Sequence, residues 1–303
     1  MKLHFLGTGC MVPTKERNHL SIAFEREGEI FLFDCGEATQ LQLKKMKLPV
    51  SKIKKIFISH WHGDHVIGLP GLLMTLGNTQ GVEKIEIHGP KKSKEYIFHM
   101  KKACIFDTRI DIKVFEHEPK RNEVITIIDT AEYQINCAKL KHSVPCNGYS
   151  FVEKDTLNVD KEKAKKLGIE KSPLLSRIKM GADIQYNKQK IKSKDITYTK
   201  KGKKISFVFD TRPCNEINLL VNNSDYLVME ATLIYEQHAQ KAEEYDHMTA
   251  RETAEIAREN NVKTLIITHF SQRYKDTKDI EAEAKEYFEN TIATYDLMSL
   301  PIK

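Results

Sequence analysis

Short apolar runs of the β type alternate along the chain with segments whose apolar residues recur at helical spacing. The apolar runs predict strands over residues 2–5, 21–24, 30–34, 55–59, 84–88, 206–210, 226–230 and 264–268. The helical spacing predicts helices over residues 39–46, 69–77, 93–103, 249–260 and 279–290. This alternation is typical of an α/β fold. Because the 303 residues contain no repeat and no low-complexity linker, we expect one domain over residues 1–303.

One segment, residues 154–204, departs from this pattern. It holds 16 Lys and Arg against 6 Asp and Glu, a charge of +10, so the rest of the chain carries −4 of the net +6. Such an asymmetry favours a polyanionic partner, although a solvated lysine-rich surface explains the charge equally well. The segment contains Gly168, Pro173 and Gly181, and its periodicity is weak. We therefore expect a mobile insertion with little core of its own.

The remaining composition narrows the class of protein. No apolar run approaches the ~18 residues that a membrane span needs, so we expect no membrane partner. The amino terminus, MKLHFLGTGC, lacks the pattern of a signal peptide. Scattered cysteines without a CxxC pair predict reduced thiols in a cytoplasmic protein. These cysteines are Cys10, Cys35, Cys104, Cys137, Cys146 and Cys214.

The strongest chemical signal is the string SHWHGDH at residues 59–65, directly after the buried-type run KKIFIS. It places His60, His62, Asp64 and His65 within six residues. Because residues two apart on a helix do not share a face, we expect this cluster on a loop, with Gly63 supplying backbone freedom. A loop at a strand end that brings nitrogen and oxygen ligands together is typical of a catalytic transition-metal site.

Further candidate ligands follow later strands. Asp210 ends the run ISFVFD, His269 follows LIIT, and His142 lies in LKHSVP. Each alone is equally well a structural polar residue, but strand ends are a recurring place for active-site groups in α/β proteins. Together they complete a ligand set for two metal ions that share one carboxylate. In contrast, Gly7 and Gly9 do not predict a dinucleotide site, because Val12 occupies the third glycine position.

The HWHGDH motif with its strand-end ligands resembles the metallo-β-lactamase superfamily. Further strings resemble RNase Z, the tRNA 3′-processing endoribonuclease family, in its short form. The matching strings are FLGTG (5–9), PTKERN (13–18), DCGE (34–37), GLPGLL (68–73), HSVP (142–145), FDTRP (209–213), EAT (230–232), HMTA (247–250) and THFSQRY (268–274). The metal motif is common to the superfamily, whereas PTKERN, DTRP and THFSQRY are much more specific.

This resemblance implies an αββα sandwich and a zinc-dependent endoribonuclease that removes the 3′ trailer from precursor tRNA. Water would attack, leaving a 3′-hydroxyl on the tRNA and a 5′-phosphate on the trailer. The family is commonly homodimeric. The implied ligands are His60, His62 and His142 for one zinc ion, Asp64, His65 and His269 for the other, and Asp210 as the bridge. Asp64 would also orient or deprotonate the attacking water.

The resemblance also implies roles outside the metal site. His247 would donate a proton to the leaving 3′ oxygen, and Glu230 would hold and charge its imidazole. Residues 154–204 correspond to the family's flexible tRNA-binding arm, but Ser172 stands where a glycine is expected at its tip. Lys15 and Arg17 lie beside a tight turn where they would hold phosphate.

Two alternatives belong to different functional classes. Another hydrolase of the same fold, acting on a phosphodiester, a thioester, a sulfate ester or a lactam, would share the metal site. It would need neither the basic segment nor the Glu230/His247 pair. A non-catalytic RNA-binding protein with a structural metal would need neither a complete ligand set nor a proton donor.

Overall fold

The structure is a computed structural model that describes residues 1–103, 109–169, 172–187 and 189–303. In these ranges two seven-stranded sheets pack face to face, with helices on their outer faces. The predicted α/β class and the implied αββα sandwich are therefore confirmed. Within the same ranges, no helix is long and apolar enough to cross a membrane.

The first sheet has the strand order β18-β1-β2-β3-β4-β5-β6. Strands β18, β1, β2 and β3 pair antiparallel, and β3 to β6 pair parallel. The strands are β1 (Lys2–Gly7), β2 (Ser21–Arg26), β3 (Glu29–Phe33), β4 (Ile53–Phe57), β5 (Lys84–Gly89), β6 (Asp111–Glu116) and β18 (Met298–Pro301).

The second sheet has the order β17-β16-β15-β14-β9-β8-β7. Its half from β14 to β17 is parallel, and β7, β8, β9 and β14 pair antiparallel. The strands are β7 (Val124–Asp129), β8 (Tyr133–Lys139), β9 (Asn147–Glu153), β14 (Lys204–Val208), β15 (Tyr226–Glu230), β16 (Thr264–Thr268) and β17 (Thr291–Ala293).

The main helices cover the two outer faces. Against the first sheet lie α1 (Thr39–Lys45), the short α2 (Gly63–Val66), α3 (Leu69–Gly77) and α4 (Ser93–Ala103). Against the second lie α8 (Asn215–Val221), α10 (Ala250–Glu259) and α11 (Lys278–Tyr287), and α9 (Tyr235–Glu244) contacts α10. Thr249 and Glu252 form a capping box at the start of α10. The capping box fixes the position of the residues just before this helix, which include His247.

The core between the sheets is rich in aromatic side chains. The rings of Phe33 and Phe207, one from each sheet, stack with centroids 3.6 Å apart. Phe24 meets Phe151 edge to face at 4.9 Å. Each fully buried side chain of this kind stabilises the fold by about 1.5–3 kcal/mol. The core therefore holds the two sheets in a fixed relation, and with them the loops at their edges.

All the predicted strands and helices are present; residues 69–77, 93–103, 226–230 and 264–268 have the predicted bounds, and the ends of the others are shifted. The strands that precede Asp34 and Asp210 end one or two residues earlier than predicted. Both aspartates have positive φ, 54° and 37°, which takes the chain out of the strand. Strands β6 to β9 were not predicted; β6 and β7 are half-buried edge strands, and β9 buries the polar residues Asn147 and Ser150.

The basic segment, residues 154–204, forms a small folded unit between β9 and β14. Strand β10 (Thr156–Val159) pairs with β13 (Thr197–Lys200), and β11 (Ile184–Tyr186) pairs with β12 (Gln189–Ile191). Three short helices complete it: α5 (Lys161–Lys166), α6 (Leu175–Lys179) and α7 (Ser193–Ile196). The expectation of little core was wrong, because buried aliphatic side chains form a separate cluster: Ala164, Ile169, Ile178, Ile184, Ile191 and Ile196.

The cysteines in the described ranges are free thiols, as predicted: Cys10, Cys35, Cys137, Cys146 and Cys214. Cys104 lies outside the described residues.

Candidate metal centre

The HWHGDH segment is divided between a loop and a helix. His60 and His62 follow β4 in extended backbone, whereas Asp64 and His65 lie in α2. The prediction that all four lie on a loop was therefore wrong for the last two. The reason is a change of conformation after His62, whose φ and ψ of −68° and 148° place it before the helix. The two pairs of side chains thus leave the backbone in different directions.

Parallel strands bring the distant residues to the same edge. Because β14, β15 and β16 are parallel neighbours, the residues at their carboxyl ends meet: Asp210, Glu230 and His269. Asp210 and His269 have positive φ values of 37° and 63°. Such backbone costs energy in a residue other than glycine and persists where the surroundings fix it, as at functional sites.

One group of side chains combines His60, His62, His142 and Asp210, with one possible ligand atom from each within 4.8 Å of the others. Nδ1 of His62 lies 3.0 Å from Nε2 of His60 and 3.2 Å from Nε2 of His142. Nε2 of His60 lies 3.6 Å from Oδ2 of Asp210. Three imidazole nitrogens and one carboxylate oxygen therefore converge on one point.

A second group combines Asp64, His65, Asp210 and His269 under the same 4.8 Å limit. Nε2 of His65 lies 3.3 Å from Oδ2 of Asp210. Oδ2 of Asp64 lies 3.5 Å from Nε2 of His65 and 3.5 Å from Nε2 of His269. Asp210 belongs to both groups, so all seven residues predicted as ligands come together, with this carboxylate between the two sets.

The chemistry of these groups fits divalent metal ions. In the described part of the chain, three buried atoms of the second group have no hydrogen-bond partner: Nε2 of His65, Nε2 of His269 and Oδ1 of Asp210. Buried polar atoms are normally paired, so these point to a bound partner of another kind. Imidazole and carboxylate ligands in this number suit a zinc-like transition metal. The chain therefore has a divalent metal cofactor.

The local charges also fit cations. Burial lowers the pKa of His60 and His62, and the neighbouring imidazoles lower it further, which favours the neutral, metal-binding form of these rings. Burial alone would lower the pKa of His65 and His269 as well. Instead, the charge of Asp210 leads the effects that raise both, for His269 to about 10. The carboxylates thus create a strong preference for positive charge at the second group.

Asp34 orients His65 from behind. Its Oδ2 accepts from Nδ1 of His65 at 2.7 Å and from the Ser59 hydroxyl at 2.7 Å, and its Oδ1 accepts from the Ser59 amide at 2.7 Å. A carboxylate in this position fixes the ring so that Nε2 faces the metal. Asp34 was not predicted as a site residue, although its position after an apolar strand carried the same signal that identified Asp210.

Glu230 and His247 form a hydrogen-bonded pair beside the two groups. Nδ1 of His247 lies 3.1 Å from Oε2 of Glu230, which also accepts from the Thr232 hydroxyl at 2.6 Å. Oε1 of Glu230 accepts from the Thr211 amide at 2.6 Å. Burial lowers the pKa of His247, but the charges of Glu230 and Asp210 outweigh burial and raise it to about 12. The two carboxylates therefore favour the protonated form of the imidazole.

Arg212 holds the backbone of His247 in place. Its Nη1 donates to the His247 carbonyl at 2.6 Å, and its Nη2 pairs with Oε1 of Glu252 at 2.6 Å. Glu252 also takes part in the capping box of α10. In the sequence, Arg212 stands out only as part of the string FDTRP, because its function as an anchor depends on a contact with a residue 35 positions away.

These groups line a cavity of about 360 Å³. His62, Asp64, His142, Asp210 and His247 lie in its wall. Lys241 and Arg273 also line it with positive charge, and Glu244 and Asp246 with negative charge. A polar chain with negative charges can therefore reach both the ligand groups and His247 from the same space.

The expectation for Arg17 was wrong. This side chain is buried, and its Nη2 donates to the carbonyls of Tyr274 at 2.5 Å and Ser271 at 3.3 Å. Its guanidinium thus anchors the loop after His269 and does not face a phosphate. Lys15 is exposed, and its contact with phosphate stays a prediction.

Known proteins that resemble this chain over its whole length include the Ribonuclease Z family. Ribonuclease Z of Methanothermobacter thermautotrophicus is 38% identical over 304 residues, covering 100% of this chain and 97% of that protein. Residues 1–167 match the family described as Anti-Pycsar protein Apyc1. That range includes the HWHGDH motif but stops before Asp210, Glu230 and His269.

Solved structures agree with this result. The short form of human tRNase Z superposes with a TM-score of 0.74 at 28% identity, covering 100% of both chains. The metallo-β-lactamase fold protein YhfI of Bacillus subtilis superposes with a TM-score of 0.69 at 17% identity, covering 99% of this chain and 98% of that one, which shows the fold alone. The chain belongs to the Ribonuclease Z family, hydrolytic endoribonucleases of the metallo-β-lactamase fold.

Proposed function

We propose that this protein is a two-zinc endoribonuclease that removes the 3′ trailer from precursor tRNA by attack of water. The observation that carries the proposal is the position of the Glu230/His247 pair. His247 lies in the wall of the same cavity as His62, Asp64, His142 and Asp210, and its Nδ1 is 3.8 Å from Oδ2 of Asp210. A proton donor is thus held at the place where a leaving oxygen would develop charge.

Seven side chains would hold the two ions. His60, His62 and His142 would bind one, Asp64, His65 and His269 the other, and Asp210 would bind both. When bound, such ions supply water activated at neutral pH and stabilise the charge of a phosphoryl group in transfer. Zinc is favoured because the set is rich in imidazole, a ligand that suits this metal.

Asp64 would position the attacking water. Its Oδ2 accepts from the Met11 amide at 2.8 Å, which fixes the direction of the carboxylate. The carboxyl is mostly buried, but the charge of His65 leads the effects that hold its pKa well below its usual range. Asp64 is therefore ionised and would orient the water by accepting a hydrogen bond from it.

His247 would donate a proton to the 3′ oxygen of the tRNA. Nδ1 is engaged by Glu230, which leaves Nε2 for the leaving group. Without a proton, a ribose alkoxide is a poor leaving group. Glu230 would act on His247 alone, because both of its oxygens are already taken by hydrogen bonds from Thr211, Thr232 and His247.

The basic unit of residues 154–204 would bind the body of the tRNA. We propose it as an arm inserted into the single domain of residues 1–303, and as flexible relative to it. Its charge of +10 suits an RNA backbone, which such a unit would recognise by shape and phosphates. At the implied tip, the Ser172 hydroxyl accepts from the Leu174 amide at 3.2 Å, a contact that glycine could not make. We further propose that the protein acts as a homodimer in the cytoplasm.

Cleavage of a precursor tRNA that carries a 3′ trailer tests the proposal. Metal-stripped protein should be inactive, and addition of zinc to two ions per chain should restore cleavage. Asp210→Ala should be the most damaging single change of a ligand, because Asp210 belongs to both groups. Cleavage that continues after metal removal, or full activity with one ion per chain, would rule out the two-metal mechanism.

A further inference from the structure

A second cleft adjoins the catalytic cavity at His142. Its volume is about 370 Å³. His142 and Ser143 line both spaces, so the cleft and the cavity meet at a candidate metal ligand. The other side chains of interest in the wall of the cleft are Pro90, Lys91, His117, Glu118, Lys139 and Pro145.

Two lysines give the cleft its positive charge. Lys91 and Lys139 are both exposed. Lys91 pairs with Glu118 at 3.1 Å, and Lys139 has no carboxylate within 4.0 Å in the described part of the chain. An exposed ion pair such as that of Lys91 is weak, so it can exchange for a phosphate. Burial lowers the pKa of His117, which leaves the charge to the lysines.

An aromatic pair, Trp61 and Tyr96, is linked by hydrogen bonds to the wall of the cleft. Trp61, between two candidate ligands in sequence, donates from Nε1 to the Ser93 hydroxyl at 2.8 Å. That hydroxyl donates to the carbonyl of Pro90, a residue of the cleft, at 2.6 Å. The rings of Trp61 and Tyr96 have centroids 5.1 Å apart, and Tyr96 is 40% exposed. Exposed aromatic rings beside lysines are a common surface for unpaired nucleotides, whose bases stack on them.

The position of His247 gives the direction of the RNA. As the donor to the leaving 3′ oxygen, His247 requires the tRNA end on its own side of the ligands, where Lys241, Tyr245 and Arg273 lie. The phosphoryl group that is transferred to water stays on the trailer. The trailer therefore needs a path that the tRNA end does not fill. The cleft offers such a path, because it begins at His142, whose ring centroid lies 6.0 Å from that of His247.

We propose that this cleft binds the trailer, the RNA strand on the 3′ side of the cleaved bond. Lys91 and Lys139 contact its phosphates, and Tyr96, backed by Trp61, stacks against a base. This inference rests on the proposed function, because only a substrate with a strand beyond the cleaved bond uses the cleft.

The test compares two precursor tRNAs that differ only in the trailer, one with a single nucleotide and one with about ten. Wild-type protein should process the long-trailer RNA with the higher kcat/KM. Lys91→Ala/Lys139→Ala should lower kcat/KM for the long trailer roughly ten-fold and so abolish this preference. For the double variant and the long trailer, the slope of log affinity against log salt concentration should flatten by about 1.4, since each phosphate contact of a single strand contributes about 0.7. Tyr96→Leu should weaken the preference without changing the slope.

Lys113→Ala is the matched control, because Lys113 is an exposed lysine near Asp111 and lines neither space. It should keep the wild-type preference. Equal losses for the two RNAs in the double variant, or a preference that survives it, would overturn the inference while cleavage itself still supports the proposed function. If the wild type cleaved neither RNA, the proposed function would fail, and the trailer cleft with it.

Discussion

At the scale of single residues, the chemistry depends on how firmly one carboxylate is held. Glu230 is fully buried and receives hydrogen bonds from a backbone amide, a hydroxyl and an imidazole. The Glu230 carboxylate cannot turn toward the two candidate ligand groups without loss of these hydrogen bonds. The consequence is a fixed His247 imidazole, whose Nε2 we propose donates to the substrate.

His247→Ala should separate chemistry from binding. Metal content and affinity for precursor tRNA should stay close to those of the wild type, because His247 is not among the seven residues of the two groups that share Asp210. The cleavage rate should fall roughly 10²–10⁴-fold, the usual effect of a lost general acid. Single-turnover kinetics with elemental analysis measures both, and loss of metal together with the rate would assign His247 to the metal site instead.

Asp34→Asn should weaken the metal site without removing a ligand. The amide cannot accept both the His65 and the Ser59 hydrogen bonds in the same geometry, so His65 loses its fixed orientation. Zinc affinity should drop about 10–100-fold, as is typical for a partner of a metal-bound histidine. Competition with a chelator measures this, and Glu37→Gln, at an exposed carboxylate of the same segment, is the control. Unchanged affinity would mean that Asp34 serves only the fold.

Single residues also show what sequence can and cannot predict. The seven proposed metal ligands could be identified because ligand types at strand ends, with HWHGDH, form patterns that are local in the sequence. The contacts of Arg17 and Arg212 could not, because their carbonyl partners lie 254 and 35 residues away. Arg17 consequently looked like a phosphate ligand and proved to be a buried anchor.

At the scale of elements, β5 and β6 hold a pair of histidines apart from the metal site. Nδ1 of His88 lies 3.0 Å from Nε2 of His117, and the His88 ring is stacked between Phe57 and Phe115. Burial, followed by the charge of His117, lowers the pKa of His88 to about 4. Lys55 acts in the same direction, and Glu86, 3.8 Å away, acts against it.

This pair should make the fold sensitive to acid. The folded state resists protonation of His88 and the unfolded state does not, so stability is full above about pH 6.5 and declines as the pH falls toward 4. The loss should be about 3 kcal/mol, at about 1.4 kcal/mol per pH unit. His88→Phe should reduce it, as measured by urea unfolding of metal-stripped protein at several pH values, with the exposed His99→Phe as control. Parallel pH curves for wild type and His88→Phe would contradict this assignment.

The basic arm is the element that sequence described least well. The sequence predicted its charge but not its core. The six buried aliphatic side chains of that core are spread over residues 164–196 without helical or strand periodicity. The strands of the arm have only three or four residues, so each is too short for an alternating pattern to be detected. Local sequence patterns are sufficient to predict long helices and strands, whereas the conformation of short segments depends on tertiary packing.

Removal of the arm should separate RNA processing from hydrolysis of small phosphodiesters. Strands β9 and β14 are antiparallel neighbours, so a short Gly/Ser turn can replace residues 155–201. Metal content and hydrolysis of bis(p-nitrophenyl) phosphate should persist, because none of the seven ligands lies in this range. Cleavage of precursor tRNA should fall steeply through weaker binding, with a flatter salt dependence. Equal loss of both activities would make the segment structural, and unchanged RNA cleavage would place RNA binding elsewhere.

At the scale of the whole molecule, the metal centre joins the two sheets. His60, His62, Asp64 and His65 come from the edge of the first sheet, and His142, Asp210 and His269 from the edge of the second. The ligands are complete only when the sandwich has closed, so metal binding and folding stabilise each other. Sequence predicted the sandwich through family resemblance, whereas the edge at which the loops meet follows from strand order.

The chemistry of the two new RNA ends tests the central claim most directly. A precursor tRNA with a labelled 3′ trailer is cleaved by the zinc-loaded protein, and both products are mapped. Attack by water, with His247 protonating the leaving 3′ oxygen, predicts a tRNA that ends in a 3′-hydroxyl and a trailer that begins with a 5′-phosphate. A 2′,3′-cyclic phosphate on the tRNA, with a 5′-hydroxyl on the trailer, would contradict the account.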